Sequence, residues 1–230
     1  MPWVARWLRV RLERLRSYTG KEMIEQDWLC LELLKTRGWE SRDRDDDVLD
    51  SPERFLAWAR KQGLLTPAEA RLLGSAARQP AAWFLDTVGA VRELRELLHR
   101  AFRRVADGDP PARSDAEALE GVLAASGQRL TLTTGNGEMS WRWSGRGDSS
   151  LTDVPTGDLP TATTVRLVGA LARSAADLLT SGELERVKVC DAHDCGWFFV
   201  DVSRNKSRRW CDMAGCGNRD KARRYRERHG

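Results

Sequence analysis

Four of the five cysteines stand in two equally spaced pairs, Cys190 and Cys195, then Cys211 and Cys216, with four residues between the members of each pair and fifteen between the pairs. Thiolates in this pattern can supply the four corners of a sulfur tetrahedron around one metal ion, provided the intervening segment folds back to bring the pairs together. Zinc suits such a site because it is redox-inert and because four thiolates fill its coordination sphere, leaving no open position for water or substrate. The pattern therefore predicts one structural zinc ion. Pairs spaced by four residues are less common than pairs spaced by two, and four separately buried cysteines are the alternative. A disulfide framework is a second alternative, but the first residues lack the contiguous apolar core of an export signal, so the chain is expected in the cytoplasm, where clustered cysteines bind metal. Cys30 stands apart and reads as an ordinary buried residue. His193 lies inside the first pair, yet four cysteines already saturate zinc, so it is expected on the surface.

The segments around the cysteines must position them. Trp197–Val200 has strand composition, Ser203–Ser207 reads as a turn, and Arg208–Trp210 as a returning strand leading into Cys211. After Cys216, Gly217 can supply an unusual backbone angle, Asn218 can cap a helix, and Asp220–Arg228 is helical in composition. Knuckle, hairpin, second cysteine pair and helix are the order of a treble-clef zinc finger, in which metal replaces much of the missing core. Such a module is expected to depend on its metal for folding.

Charge is distributed unevenly. The chain carries a net +4, and residues 184–230 hold 12 Lys/Arg against 7 Asp/Glu, which leaves 26 against 27 in the rest. A basic excess confined to the cysteine-rich end points to partners bearing phosphate. Arg204, Lys206, Arg208 and Arg209 lie along the expected hairpin, and Arg219, Lys221, Arg223 and Arg224 along the expected helix, with Arg226 and Arg228 beyond them. An arginine fork can hold a phosphate or a guanine edge by two bonds.

Upstream, residues 1–22 form a basic, loosely amphipathic extension with no function assigned. The period of Ile24, Trp28, Leu31 and Leu34 predicts a helix from about Met23 to Thr36, followed by an acidic loop to Asp50 in which Asp45, Asp46 and Asp47 are solvated charge. Ser51-Pro52 and Thr66-Pro67 open two short helices joined at Gly63, and Thr66 with Glu69 fits a capping box. A long helix from about Pro80 to Ala106 turns Trp83, Phe84, Val88, Val91, Leu94, Leu98 and Phe102 inward. A short helix over Asp115–Ser126, a β-hairpin over Gln128–Ser144 turning at Gly135-Asn136-Gly137, a loop over Gly145–Leu159 and a helix from Pro160 to Thr180 complete the reading. Trp141 and Trp143 alternate on the hairpin as core residues would.

The segment VKVCDAHDCGWFFVDVSRNKSRRWCDMAGCGNRDKARRYRERH resembles the CGNR zinc finger, whose name stands here as Cys216, Gly217, Asn218 and Arg219. In that family the finger follows an ABATE domain, described as a stress-induced transcription regulator, and DWLCLELLKT with DVLDSPERFLAWARKQGLLT is similar to that domain's start. Glu32 and Lys35 stand where the family usually shows Asp and Asn, which marks them as candidate ligand-binding positions. The resemblance implies DNA binding.

The fold class expected is thus α+β: a mostly helical N-terminal domain with a small antiparallel sheet over residues 23–183, and a treble-clef-like zinc finger over 184–230. The expected function is zinc-dependent binding of duplex DNA in transcription regulation, the N-terminal domain sensing a small-molecule effector or mediating assembly. A homodimer would suit a palindromic site. RNA binding and protein interaction through the same finger are the competing classes. An enzyme is not expected, since there is no Gly-rich phosphate loop, no nucleophile elbow and no HExxH. No apolar run is long enough to span a membrane.

Overall fold

The computed structural model describes residues 28–39, 46–76, 82–135, 138–144 and 158–229. The basic extension, the first turns expected of the Met23–Thr36 helix, Asp45, the hairpin tip at 136–137 and most of the 145–159 loop lie outside the described residues. Within them the protein is mostly helical, with two small antiparallel sheets.

Helix α1 (Leu29–Leu34) is followed by a 3-10 turn at Val48–Asp50 and by α2 (Pro52–Lys61) and α3 (Pro67–Ala76). The two prolines sit in their first turns, where a missing N–H costs nothing. Ser51 accepts from the Arg54 N–H. The Thr66 capping box forms in full: Thr66 Oγ1 accepts from the Glu69 N–H, while Glu69 Oε2 accepts from the Thr66 N–H and hydroxyl. Arg166 then reaches across 97 residues to both Glu69 oxygens, so a local cap is also a tertiary tie.

Helices α4 (Ala82–Ala106) and α6 (Leu159–Thr180) form the main packed pair, with α1 and α5 (Arg113–Ala125) against them. The apolar stripe of α4 faces this core, Val91, Leu98 and Phe102 being fully enclosed. Hairpin β1 (Arg129–Gly135) and β2 (Glu138–Ser144) pairs Leu130 with Trp143 and Leu132 with Trp141. Trp143 is half-buried and donates its indole N–H to Asp177 of α6, so it anchors the hairpin through a polar bond. Cys30 is buried without a disulfide, burial pushing its thiol up to about 12.

One acidic residue departs from the sequence reading. Asp47 is buried, not solvated: both its oxygens accept from Arg95 of α4, at 2.8 and 2.5 Å, and Oδ1 also caps the 3-10 turn through the Leu49 N–H. Arg95 is 1% exposed and takes a further partner in Thr36 Oγ1. Burial alone would raise the Asp47 carboxyl; the bonds from Arg95 and Leu49 overcome it and hold the group below its ordinary value. A charge inside the α4 stripe is invisible to a periodicity that counts apolar positions. Asp46, by contrast, is on the surface, paired with Arg54.

The second sheet also differs from expectation. It consists of β3 (Val187–Val189) and β4 (Phe198–Val200), so the first cysteine pair lies inside the hairpin. Arg208–Trp210 does not return as a strand, because its backbone is engaged elsewhere. The Arg208 N–H donates to Asp201, the Arg208 carbonyl accepts from Lys188 Nζ, and the Arg209 carbonyl accepts from the Asp191 N–H.

Candidate metal centre and nucleic-acid face

The hairpin sets the first two cysteines. Cys190 follows β3 directly and bonds the Trp197 carbonyl through its N–H, Cys195 closes a tight turn onto Ala192, and Gly196 follows at φ 67°, a left-handed angle that glycine adopts without strain. The second pair is set by a different device. Asp212 accepts from the Ala214 and Gly215 N–H groups and starts a wide helical turn over Met213–Gly217 that carries Cys216, and α7 (Asn218–His229) continues from it. Asn218 is therefore not the cap; it is already helical, at φ −69° and ψ −39°, and Asp212 performs the capping. Nor does Gly217 use a left-handed angle. A Cβ there would lie 3.5 Å from Trp210, an ordinary contact, and 2.6 Å from Met213 Sδ, so a larger residue would displace the exposed Met213 side chain.

These two turns converge. The four sulfurs lie within 4.8 Å of one another, with Cys195–Cys211 and Cys211–Cys216 both at 3.6 Å. A zinc–thiolate bond of about 2.3 Å gives a tetrahedral sulfur–sulfur edge of about 3.8 Å, so the donor set fits one zinc ion. The surroundings fit as well. Cys190, Cys195 and Cys216 are buried, Cys190 Sγ accepts from the Cys211 N–H at 3.4 Å, and Cys216 Sγ accepts from Arg219 at 3.3 Å. Donors of this kind orient thiolates and offset their charge. Donation from Cys195 and Cys211 holds the Cys190 thiol down to about 2, and the same bonds push Cys211 up to about 12 and Cys195 upward as well. Four thiolates at such separations repel one another, so their joint deprotonation calls for a multivalent cation between them. Zinc bound there would cross-link residues 190 to 216. His193 is exposed, outside the cluster.

The finger is not a bead on a string. Val187 and Phe198 are buried in the core shared with the helices, and Phe198 meets the rings of His99 at 5.4 Å and Phe102 at 6.4 Å. Trp197 donates its indole N–H to the Arg37 carbonyl at 3.0 Å, and His99 stacks on Trp39 at 3.7 Å. The strands thus belong to the helical core while the cysteines form a separate small cluster with Trp197 and Trp210.

Basic residues of the finger fall into two groups. Arg208 is spent on structure, its guanidinium bonding the Trp210 and Cys211 carbonyls and lying 4.9 Å over Phe199. Arg209 pairs with Asp191 and lies over Trp210. Arg219 bonds Asp194 besides Cys216. Arg223 and Arg224 both close on Asp220, whose side chain is 1% exposed, and Arg223 also pairs with Glu227. Lys206 pairs with Glu185. Among the described residues of the finger Arg204, Lys221, Arg226 and Arg228 are exposed with no acidic partner within ion-pair distance, Arg228 donating only to the Arg224 carbonyl. The other candidate positions, Glu32 on α1 and Lys35 at its C-terminal end, are half-buried and pair with each other.

Sequence reasoning passed over Asp201, which organises the turn before the second cysteine pair. It is fully enclosed and accepts from Lys188 Nζ at 2.6 Å, from the Ser203 N–H and hydroxyl, and from the Arg208 N–H. Burial works against its charge, but these donors hold its carboxyl down to about 2. The Asp-x-Ser spacing was the available signal. Because the folded value is depressed, the stabilisation is present above the ordinary value near 3.8 and is lost as pH falls through about 2. Asp201→Asn is expected to cost about 1–3 kcal/mol at pH 7, the gap to the parent narrowing in acid; denaturant midpoints at pH 7 and pH 3 measure it.

A knuckle on a hairpin, a second cysteine pair on the turn into a helix and sulfurs at tetrahedral spacing define a zinc finger, here built onto a helical domain. The chain belongs to the ABATE family, described as "Putative stress-induced transcription regulator", whose model matches residues 27–182, and residues 186–229 match the CGNR zinc finger. No curated protein matches the chain. These are regulatory and zinc-finger families, not enzyme families. Among the described residues no helix is long and apolar enough to cross a membrane.

Proposed function

We propose that the protein regulates transcription by binding duplex DNA through its zinc finger, with Cys190, Cys195, Cys211 and Cys216 holding the ion. The observation that carries this reading is the division of the finger's cations. After structural partners are satisfied, Arg204, Lys221, Arg226 and Arg228 remain exposed without an acidic partner, a positive surface to which a phosphate backbone is complementary. Residues 184–230 act as the DNA-contacting part and residues 23–183 as the regulatory part, for a small-molecule effector or for assembly into a homodimer. The finger's strands are buried in the helical core. A rearrangement of α4 would therefore reach the finger through Phe198 and His99.

The test is titration of the zinc-loaded protein against random-sequence duplex DNA, single-stranded DNA and hairpin RNA over a range of salt. Preferred duplex binding, weakening steeply with salt, supports the reading. Preference for the hairpin makes the protein an RNA binder, and no salt-dependent binding to any of the three makes the finger a protein-interaction module.

A further inference from the structure

Helix α7 is 12 residues long, about 18 Å, and has one buried residue, Asp220. A helix without an apolar stripe needs another source of stability. Here Arg223 and Arg224 supply it by pairing with Asp220, and Arg223 also with Glu227, at helical spacing, on the side that carries the one buried residue. They are staples, and their loss would leave a buried carboxylate unpaired.

The opposite side has a different composition. Asn218, Ala222, Tyr225 and His229 follow at i, i+4, i+7 and i+11, which places them in one stripe, and all four are exposed. Tyr225 is 63% exposed, a large ring with no core to enter, and its neighbour in the stripe is His229, with ring centroids 4.5 Å apart. Lys221 and Arg226 flank the stripe on its two sides. Among the described residues neither has an acidic partner within ion-pair distance.

We infer that this outward face of α7 enters the major groove of duplex DNA, with Asn218 reading a base edge and Lys221 and Arg226 gripping phosphates on the two groove walls. The inference rests on the duplex-DNA reading above and assigns its contact residues. A major groove about 12 Å wide admits one α-helix, and cations on both flanks of a stripe meet a phosphate wall on either side. The amide of asparagine matches the N6/N7 edge of adenine, and Ala222 keeps the middle of the stripe low enough for close approach. Arg223 and Arg224 lie outside this contact, although by composition alone they are equal candidates.

The experiment selects preferred sites from a random-sequence duplex pool with the full zinc-loaded chain and repeats the selection with Asn218→Ala, Lys221→Ala and Arg226→Ala, after confirming that each variant still holds one zinc. Asn218→Ala is expected to lose its preference at one base position by about tenfold. Lys221→Ala and Arg226→Ala are each expected to weaken binding uniformly across sequences and to reduce the salt slope by about 1. If all three variants bind as the parent does, with the same selected site, α7 does not enter the groove while duplex binding itself stands. If the parent selects and binds no duplex at all, the duplex-DNA reading fails and this assignment with it.

Discussion

Replacing Cys211 with serine is expected to take the zinc content from one ion per chain to none and to abolish DNA binding. Cys211 touches both halves of the centre: its sulfur is 3.6 Å from those of Cys195 and Cys216, and its N–H donates to that of Cys190. A hydroxyl in its place supplies no thiolate, and the remaining three cannot close the tetrahedron. Structural zinc contributes about 10–16 kcal/mol in small fingers, far more than the few contacts that hold Met213–His229 otherwise. The loss should be local. Val187 and Phe198 lie in the helical core and do not depend on the ion, whereas α7, with one buried residue, does. Hydrogen exchange should therefore show residues 201–229 losing protection while α4 and α6 keep theirs. Retention of one zinc per chain in this variant would mean that Cys211 is not a ligand.

A second large effect is expected far from the metal. Asp47→Ala removes the partner of Arg95, which is 1% exposed in the middle of α4 and would be left as an uncompensated charge with only Thr36 to bond. Breaking a buried pair in this way costs about 3–5 kcal/mol. For a chain of this length that corresponds to a fall in melting temperature of about 6–20 °C. Replacing both residues by apolar ones of similar volume should recover most of the loss, because no charge is then buried. Thermal unfolding of the single and double variants separates the two cases. A single variant as stable as the parent would show that Arg95 finds water or another acceptor.

Legibility in the sequence followed the nature of each signal. Local devices were readable: the Thr66–Glu69 capping box, the Ser51 cap and the paired cysteines each depend on residues a few positions apart. The α4 stripe was readable because its period repeats over seven turns. What failed depended on partners distant in sequence. Asp47 reads as solvated until Arg95, 48 residues on, is brought beside it. Arg208–Trp210 reads as a strand until Asp201, Lys188 and Asp191 occupy its backbone. Gly217 was singled out for an unusual backbone angle that it does not adopt; what stands against it is the Met213 sulfur. The arginines of α7 are alike in sequence; only the burial of Asp220 divides them into staples and outward-facing cations.

We propose that a zinc-held finger binds duplex DNA at particular sites. The most direct test is capture of sheared genomic DNA by the purified zinc-loaded protein at about 150 mM salt, where purely phosphate-driven binding is weak. Recurrent enriched sites that vanish with Cys211→Ser are the predicted result. Featureless capture, or sites equally enriched by the zinc-free variant, would contradict it.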